Sequence, residues 1–283
     1  PAEPTSAAQL RTMLTFAAEE AILAQWEDPR TSKAAWLTTL RRVAPMVRQA
    51  RQLVIGDPFS GLIQTLLFAA RPREVVVVDD GTATMEFASQ MGARQGLRRW
   101  DAAGSPLSLA RRPLARHAQR FFESERLSVF TVMPVTDLPP SRVRRHRYAW
   151  TRRRFGPPRT IGGVDVIGSS LAESGVVRGP AYLSAVSGLV DRWGTAGRYF
   201  AHRKEDAAKL EQIAALGLRV VRPEVPVEIE LCRGPVAHRL ACFPSSVGYT
   251  LPLVLAGTDT AFDLQPLPAS MYQPGVGVAA RRF

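Results

Sequence analysis

A run of four valines, Val75–Val78, restricts the fold of this chain more than any other feature, and it ends abruptly at Asp79, Asp80 and Gly81. An uninterrupted β-branched run is typical of a strand covered on both faces, as in a parallel sheet. Comparable apolar runs occupy residues 52–56, 164–168, 198–201, 218–221, 239–243 and 261–264, and helical patterns separate most of them. Such repeated strand–helix–strand units predict an α/β fold with parallel sheets and right-handed crossovers.

The middle of the chain interrupts this alternation. Residues 94–160 are rich in arginine, most densely over 142–154, and prolines punctuate them, among them Pro134, Pro139, Pro140, Pro157 and Pro158. We therefore place a domain boundary near 140–160. The prediction is two Rossmann-like domains, residues 1–150 and 151–283, whose parallel sheets face a cleft.

The charge of the chain favours an anionic partner. Lys and Arg together number 37 against 25 Asp and Glu, which gives a formal net charge of +12. This surplus favours nucleic acid, anionic lipid or acidic carbohydrate, although a GC-rich coding bias toward arginine is the plain alternative. Tyr148 and Trp150 lie among the arginines of 142–154. That stretch either lines a groove for an anionic acceptor or forms a solvated face.

Several classes of protein are disfavoured by the sequence. No run of roughly 18 apolar residues is present and the N-terminus lacks a signal-peptide pattern, so we expect a cytoplasmic protein. It would be peripheral to the inner membrane if its arginines contact anionic lipid. Cys232 and Cys242 lack zinc spacing, which predicts buried reduced thiols and no metal site. No dinucleotide fingerprint, P-loop or nucleophile elbow is found.

Polar residues follow many of the predicted strands. In parallel α/β sheets, ligands bind just beyond the carboxyl ends of the strands, and this rule selects the candidate site residues. They are Asp79–Gly81, Gly168–Ser170 with Glu173, His202 with Arg203, Pro226 with Glu228, and Pro244–Ser246.

The candidates of the C-terminal half suit a phosphate and a ribose. Ser245 and Ser246 lie between a strand and a helix, where backbone N–H groups bind phosphate; alternatively one serine only caps the helix. His202 could donate to a phosphate oxygen and stabilise a leaving group, or could be a structural histidine. Glu228 could bind ribose hydroxyls, or could be a solvated charge.

Asp79 is the candidate general base of the N-terminal half. Its carboxylate could accept a proton from an attacking hydroxyl, while Gly81 lets the backbone turn tightly beneath the substrate. Asp79 or Asp80 could instead cap the helix that begins at Thr82. Both roles are compatible, because one acid can cap while the other acts as the base.

Taken together, these residues resemble the bacterial sialyltransferases, including lipooligosaccharide sialyltransferases and capsular polysialyltransferases. The resemblance covers residues 52–255, most of the chain. Asp79-Asp80-Gly81 looks like the acidic-acidic-Gly motif of that family, and the segment from Tyr199 to Glu205 is similar to its His-Pro motif in the His-Arg-x-Glu form. Pro226-Val-Glu228 and Phe243-Pro-Ser245-Ser246 are similar to its ribose-contacting Glu and its Ser-Ser motif.

This resemblance implies a metal-independent, cofactor-free glycosyltransferase (EC 2.4) of bacterial polysaccharide biosynthesis, with a GT-B fold and CMP-sialic acid as donor. Asp79 would be the general base, and His202 the general acid or charge stabiliser at the departing phosphate. Ser245 and Ser246 would hold that phosphate and Glu228 the ribose, with Gly81 and Arg203 completing the binding residues. The reaction would invert configuration at the transferred sugar.

Three features depart from the family pattern. Arg203 replaces the proline of the commonest His-Pro form. Glu173 lies in a segment where some branches of the family carry the base, so it competes with Asp79 for that role. The first strand and helix of the family's N-terminal domain have no counterpart ahead of Gln52.

The sequence leaves two alternatives to sialic acid transfer open. The same nucleotide motifs would serve a transferase for Kdo or another CMP-linked sugar, because they contact CMP and not the sugar. A different class is a non-catalytic basic protein that binds polyanions or nucleic acid, although no helix-turn-helix, zinc finger or RNP-like motif supports nucleic acid. The expected partners are a CMP-activated acidic sugar and a glycan or polysaccharide acceptor, which could itself be anionic.

Overall fold

The computed structural model describes residues 4–29, 31–94, 97, 112–194 and 197–276. The chain forms two compact units. The first unit comprises Trp26–His146, and the second unit joins the N-terminal helix α1 (Pro4–Glu19) to the chain from Arg147 onward. Each unit has its own parallel sheet, so the predicted α/β fold with two parallel-sheet domains is confirmed.

The first unit is built on a four-stranded sheet in which every strand lies beside the strand that precedes it in the chain, in the order β1-β2-β3-β4. Its elements are α2 (Lys33–Gln49), β1 (Gln52–Ile55), α3 (Gly61–Ala70), β2 (Glu74–Val78), α4 (Ala83–Gly92), α5 (Arg112–Glu123), β3 (Leu127–Thr131) and β4 (Val143–Arg145). In the described segments ahead of β1 the structure has the two helices α1 and α2.

The valine run forms β2, and Val75, Val76 and Val77 are all buried, as its continuous apolar character predicts. Val75 and Val77 pack with Phe87 of α4 and Phe122 of α5 in the core of this unit. β3 and β4 were not predicted, because Ser128 interrupts the apolar residues of β3, β4 has only one apolar residue, and both strands lie in the arginine-rich stretch.

Arginines of this stretch hold the backbone of the first unit together. The guanidinium of Arg142 donates to the carbonyls of Phe122 and Glu123, and that of Arg145 donates to the carbonyls of Met133 and Val135. Part of the arginine surplus therefore has a structural use.

The second unit has a five-stranded parallel sheet in the order β7-β6-β5-β8-β9. Its elements after α1 are α6 (Ala149–Phe155), β5 (Thr160–Ile167), α7 (Gly179–Trp193), β6 (Gly197–Phe200), α8 (Ala207–Ala215), β7 (Arg219–Val221), α9 (Val227–Arg233), β8 (Val236–Cys242), α10 (Val247–Val254) and β9 (Ala261–Leu264). Helices α7 and α8 contribute to one hydrophobic core, whereas α9 and α10 contribute to another with Phe155 of α6. The sheet is therefore covered on both faces.

A buried carboxylate fixes the centre of this sheet. Asp165 of β5 is 1% exposed and accepts two hydrogen bonds from the guanidinium of Arg198 of β6, at 2.7 and 2.6 Å. Its second oxygen also accepts the backbone N–H of Ala237 of β8 at 2.8 Å. These bonds link the three adjacent strands β5, β6 and β8.

Helix α1 packs on the second unit, although the sequence-based boundary placed it in the first domain of residues 1–150. The ring of Phe16 lies 5.3 Å from the ring of Phe155, and the amide of Gln9 donates to the carbonyls of Pro223 and Val225. The burial of Phe16 and the two hydrogen bonds donated by Gln9 hold α1 against the second unit.

Trp150, one of the two aromatic residues among the arginines of 142–154, also contacts α1. The indole N–H of Trp150 donates to Glu20 at 3.2 Å, and Arg154 pairs with Glu19 at 2.9 Å. Among the described residues, no helix has both the length and the apolar character needed to cross a bilayer.

Candidate active site

The second sheet has the strand order of a doubly wound fold. Counted along the chain from β5, its order is 3-2-1-4-5, so the connections change direction between β5 and β8. Ligands of such sheets bind at this switch point, outside the carboxyl ends of the strands. Gly168 and Ser169 follow β5 there, and Ser245 and Ser246 follow β8.

Strand register places His202 at the same edge. Ile167 of β5 pairs with Phe200 of β6 and with Cys242 of β8, so His202 and Pro244 lie equally far beyond their strands. Because neighbouring strands are about 4.8 Å apart, two steps across the sheet separate these positions by about 10 Å. The structure therefore brings the predicted histidine and serine pair to one edge of the second unit.

The two serines precede α10 without capping it. Ser246 is the N-cap residue, yet its side chain makes no capping hydrogen bond, and neither serine hydroxyl has a hydrogen-bond partner among the described residues. Both serines are half-buried. In the first turn of α10, the N–H groups of Gly248 and Tyr249 donate to the carbonyls of Ser245 and Ser246, whereas the N–H of Val247 has no partner among the described residues. The two hydroxyls and this N–H are thus available together, as an anion site requires.

Glu228 lies beside this helix N-terminus. It is in the first turn of α9, and its carboxylate accepts a hydrogen bond of 2.8 Å from the hydroxyl of Thr250. Thr250 is buried and comes one helical turn after Ser246 in α10. Glu228 is therefore a positioned carboxylate rather than a freely solvated charge.

His202 is half-buried and has a defined tautomer. Its Nδ1 accepts the backbone N–H of Lys204 at 3.2 Å, which leaves the proton of the neutral ring on Nε2. Burial, followed by the positive charges of Arg203 and Lys204, lowers the pKa of His202 to about 4. At neutral pH the ring is therefore uncharged and carries an N–H donor on Nε2. Arg203 itself is exposed.

A buried polar network holds the His202 loop. The carboxylate of Glu205 accepts the backbone N–H of His202 at 2.5 Å and the hydroxyl of Tyr199 at 2.6 Å, and it lies 2.7 Å from the ammonium of Lys209. Burial raises the pKa of Glu205, while Lys209 and the hydrogen-bond donors oppose that rise. These contacts of Glu205 hold the loop after β6, which carries His202, in place.

Glu173 belongs to the same network. Its carboxylate lies 2.8 Å from the ammonium of Lys209 and accepts the backbone N–H of Asp206 at 3.3 Å. Lys209 also donates to the carbonyl of Ser169 at 3.1 Å, so it ties the loop after β5 to the loop after β6. Glu173, the competing candidate for the general base, is an ion-pair partner in the second unit.

Position 168 has to be a glycine, because Glu205 and Tyr199 of this network leave no room for a side chain there. A Cβ at this position would lie 2.4 Å from Oε2 of Glu205 and 2.8 Å from the ring of Tyr199. We expect Gly168→Ala to lower the free energy of unfolding by about 1–3 kcal/mol, as overpacking of a filled core does. Urea unfolding of the purified variant measures this loss.

Gly162→Ala is the matched control, because Gly162 lies in β5, the strand that Gly168 follows, and a Cβ there would meet nothing within 4 Å. The control should change stability by less than about 0.5 kcal/mol, as surface substitutions ordinarily do. Equal stability of the two variants would show that the network gives way to a methyl group.

Asp79 lies in the first unit at the carboxyl end of β2. Its Oδ1 accepts the hydroxyl of Thr131, its Oδ2 accepts the backbone N–H of Val132 at 2.8 Å, and its side chain is 9% exposed. The carboxylate therefore points to the end of β3 and does not cap α4. Gly81 has a φ of +59°, the left-handed conformation that glycine adopts without strain.

His146 is a site residue that sequence reasoning missed. Its Nε2 lies 3.3 Å from Oδ2 of Asp79, and its ring stacks on Phe130 with centroids 4.5 Å apart and planes inclined by 19°. His146 follows β4 as Asp79 follows β2. The strand-end rule would have selected it, had β4 been recognised within the arginine-rich stretch.

The candidate site residues thus fall into two groups, one in each unit. Glu173, His202, Arg203, Glu228, Ser245 and Ser246 belong to the second unit, and Asp79 and Gly81 belong to the first. In the part of the chain that the structure describes, no three His, Cys, Asp or Glu side chains are placed to hold a metal ion.

Comparison of the chain with known proteins finds a similar structure but no similar sequence. No family model matches the chain, and no curated protein matches it in sequence. Among solved structures, the chain is similar to the α/β-galactoside α-2,3-sialyltransferase of the luminous marine bacterium Photobacterium phosphoreum. The TM-score is 0.47 at 10% identity, over 83% of this chain and 84% of that one. A functional assignment for this chain therefore rests on the geometry of its site.

Proposed function

We propose that the chain is an inverting, metal-independent glycosyltransferase that moves sialic acid or a related nonulosonic acid from a CMP-sugar to a glycan hydroxyl. One observation carries the proposal. One edge of the second sheet carries His202, Glu228 and the Ser245–Ser246 pair, whose hydroxyls do not cap α10. These residues surround the switch point where doubly wound sheets bind nucleotides.

The serine pair and Glu228 would hold the nucleotide. A phosphate at the N-terminus of α10 would accept hydrogen bonds from the two serine hydroxyls and from the backbone N–H of Val247. The carboxylate of Glu228 retains acceptor capacity beyond its bond to Thr250, which suits the hydroxyls of a ribose.

His202 would stabilise the leaving group as a hydrogen-bond donor. The lowered pKa of His202 keeps the ring neutral at pH 7 in the unliganded protein, so its Nε2–H can donate to a phosphate oxygen without being ionised. An arriving phosphate adds negative charge nearby and favours protonation of the ring. The same residue could then supply a proton to the departing CMP.

The proton of the acceptor hydroxyl would be taken at the Asp79 site of the first unit. Inversion requires a base and a leaving-group partner that act on opposite sides of the sugar. Glu173 is less suited to the base role, because its carboxylate is already paired with the buried ammonium of Lys209. Asp79 has no comparable lysine partner among the described residues.

The acceptor is proposed to be anionic. The net charge of +12 favours an acidic glycan, and Arg144, Arg147 and Arg153 are exposed in the arginine-rich stretch. We propose a cytoplasmic protein in which the same arginines contact anionic lipid at the inner membrane. Kdo or another CMP-linked sugar would use the same nucleotide residues.

Selective stabilisation by CMP tests the proposal. CMP at 100 times its dissociation constant should stabilise the protein by about 2.7 kcal/mol. This corresponds to an increase in Tm of about 4–5 °C for a chain of 283 residues. UDP, GDP and AMP at the same concentration should give far smaller shifts. His202→Ala should abolish most of the CMP shift, because it removes the Nε2–H donor to the phosphate.

His238→Ala is the matched control, since His238 is an exposed histidine of β8 in the same unit. It should leave the CMP shift unchanged. Indifference of the wild-type protein to CMP, together with salt-sensitive binding to DNA, would instead support the basic polyanion-binding alternative.

A further inference from the structure

The carboxylate of Asp79 is largely occupied by donors of its own unit. Thr131 donates to Oδ1, Val132 donates to Oδ2 at 2.8 Å, and Nε2 of His146 lies 3.3 Å from the same Oδ2. With a side chain that is 9% exposed, Asp79 presents little free lone-pair surface to an acceptor hydroxyl. A carboxylate held in this way is better placed to orient a neighbour than to remove a proton itself.

His146 is that neighbour, and its geometry is the one expected of an oriented base. When Nε2 donates to Asp79, the neutral ring carries its lone pair on Nδ1. The stacked ring of Phe130 fixes the plane of the imidazole. The side chain of His146 is 18% exposed, twice the fraction of Asp79.

Three adjacent strands supply the parts of this site. Asp79 follows β2, Thr131 ends β3 and His146 follows β4, and the three strands are neighbours in a parallel sheet. The edge of the first sheet therefore carries an Asp–His pair in the arrangement in which a carboxylate sets the tautomer of a catalytic histidine.

We propose that His146, rather than Asp79, takes the proton of the acceptor hydroxyl, and that Asp79 is the residue that positions it. This inference rests on the proposed function and deepens it. The acceptor oxygen forms a bond to the anomeric carbon of the donor sugar, while the bond from that carbon to the phosphate oxygen breaks and its electron pair leaves with CMP. The acceptor proton moves to Nδ1 of His146, and the imidazolium is paired with the Asp79 carboxylate until water removes the proton.

His146→Gln distinguishes the two roles. The amide N–H of glutamine can still donate to Asp79, but the amide cannot accept a proton. With CMP-N-acetylneuraminic acid as donor and sialylated oligosaccharides as acceptors, CMP release should fall about 10²- to 10⁴-fold, the ordinary contribution of a general base. The CMP-induced Tm shift should stay at its wild-type size, which also shows that the variant is folded.

A loss of less than about tenfold in His146→Gln would assign the base to Asp79 and overturn this proposal, while the proposed function would stand. A wild-type protein that neither binds CMP nor releases it from the donor would overturn the proposed function, and the base assignment with it. The two failures are thus told apart by the wild-type measurements.

His146→Gly gives a second and independent measurement. Added imidazole should restore part of the rate, and substituted imidazoles should restore more as their basicity increases, because the added ring accepts the proton. Rescue that is absent, or that is independent of basicity, would mean that the ring only positions Asp79, and would overturn the proposal.

Discussion

Replacement of Lys209 by methionine is expected to lower the free energy of unfolding by about 3–5 kcal/mol at neutral pH, the usual effect of removing one partner from a buried ion pair. The side chain of Lys209 is 8% exposed, and its ammonium contacts the carboxylates of Glu173 and Glu205 at 2.8 and 2.7 Å. Methionine fills a similar volume but leaves two carboxylates without their cation. Urea unfolding monitored by tryptophan fluorescence measures the loss.

The loss should depend on pH in a defined direction. Burial raises the pKa of Glu205, and without Lys209 the main opposition to that rise is gone. The folded state then binds a proton at Glu205 more tightly than the unfolded state does. Stability from such a group is fully present below its unfolded pKa and is lost as the pH rises through its folded pKa. The variant should therefore regain stability as the pH falls from about 8 to about 5.

Lys33→Met is the control, because Lys33 is exposed at the start of α2. It should alter stability by less than about 0.5 kcal/mol at every pH. A Lys209→Met variant as stable as this control would mean that Glu173 and Glu205 do not depend on the lysine. The buried network would then not be what holds the His202 loop.

Asp79→Ala is expected to reduce turnover about 10²- to 10⁴-fold while leaving the affinity for CMP largely intact. In the proposed mechanism the carboxylate either acts as the base or orients His146, so its removal should disable proton transfer in both cases. The residues proposed to hold the nucleotide belong to the second unit, which is why we expect CMP binding to persist. Steady-state CMP release and the CMP-induced Tm shift measure the two quantities separately.

Asp80→Ala provides a neighbouring control. Asp80 is exposed, and its carboxylate has no hydrogen-bond partner among the described residues. Turnover of Asp80→Ala should remain within a few-fold of the wild-type rate. Loss of turnover in Glu173→Ala but not in Asp79→Ala would move the base to Glu173, provided that the Glu173 variant still unfolds cooperatively.

The strand pattern of the chain was predictable because long apolar runs carry a strong signal. Val75–Val78 and the run ending at Ile167 lie in strands with buried residues, and α7 lies between β5 and β6, where a helix was expected to separate two apolar runs. β3 and β4 escaped prediction because Ser128 and Arg144 interrupt their apolar patterns. A strand of three to five residues without a continuous apolar run gives too weak a periodic signal to be recognised in a basic stretch.

The candidate site residues could also be predicted only where the signal lies in neighbouring residues of the sequence. A polar residue after an apolar run can be recognised locally, which is how His202, Glu228 and Ser245 were found. The partner of Asp79 could not be recognised in this way, because His146 is 67 residues away and meets it only across three strands. Likewise, nothing in the sequence indicates that Lys209 meets Glu173, which is 36 residues away.

The sequence by itself determined the α/β class, the order of most strands and the residues that end them, because hydrophobic periodicity and strand-end chemistry are properties of neighbouring residues. Only the tertiary structure decided that α1 packs on the second unit, that Asp79 faces His146, and that a buried lysine holds the His202 loop. These pairings depend on which strands become neighbours, and on which buried charges must meet to offset their loss of water.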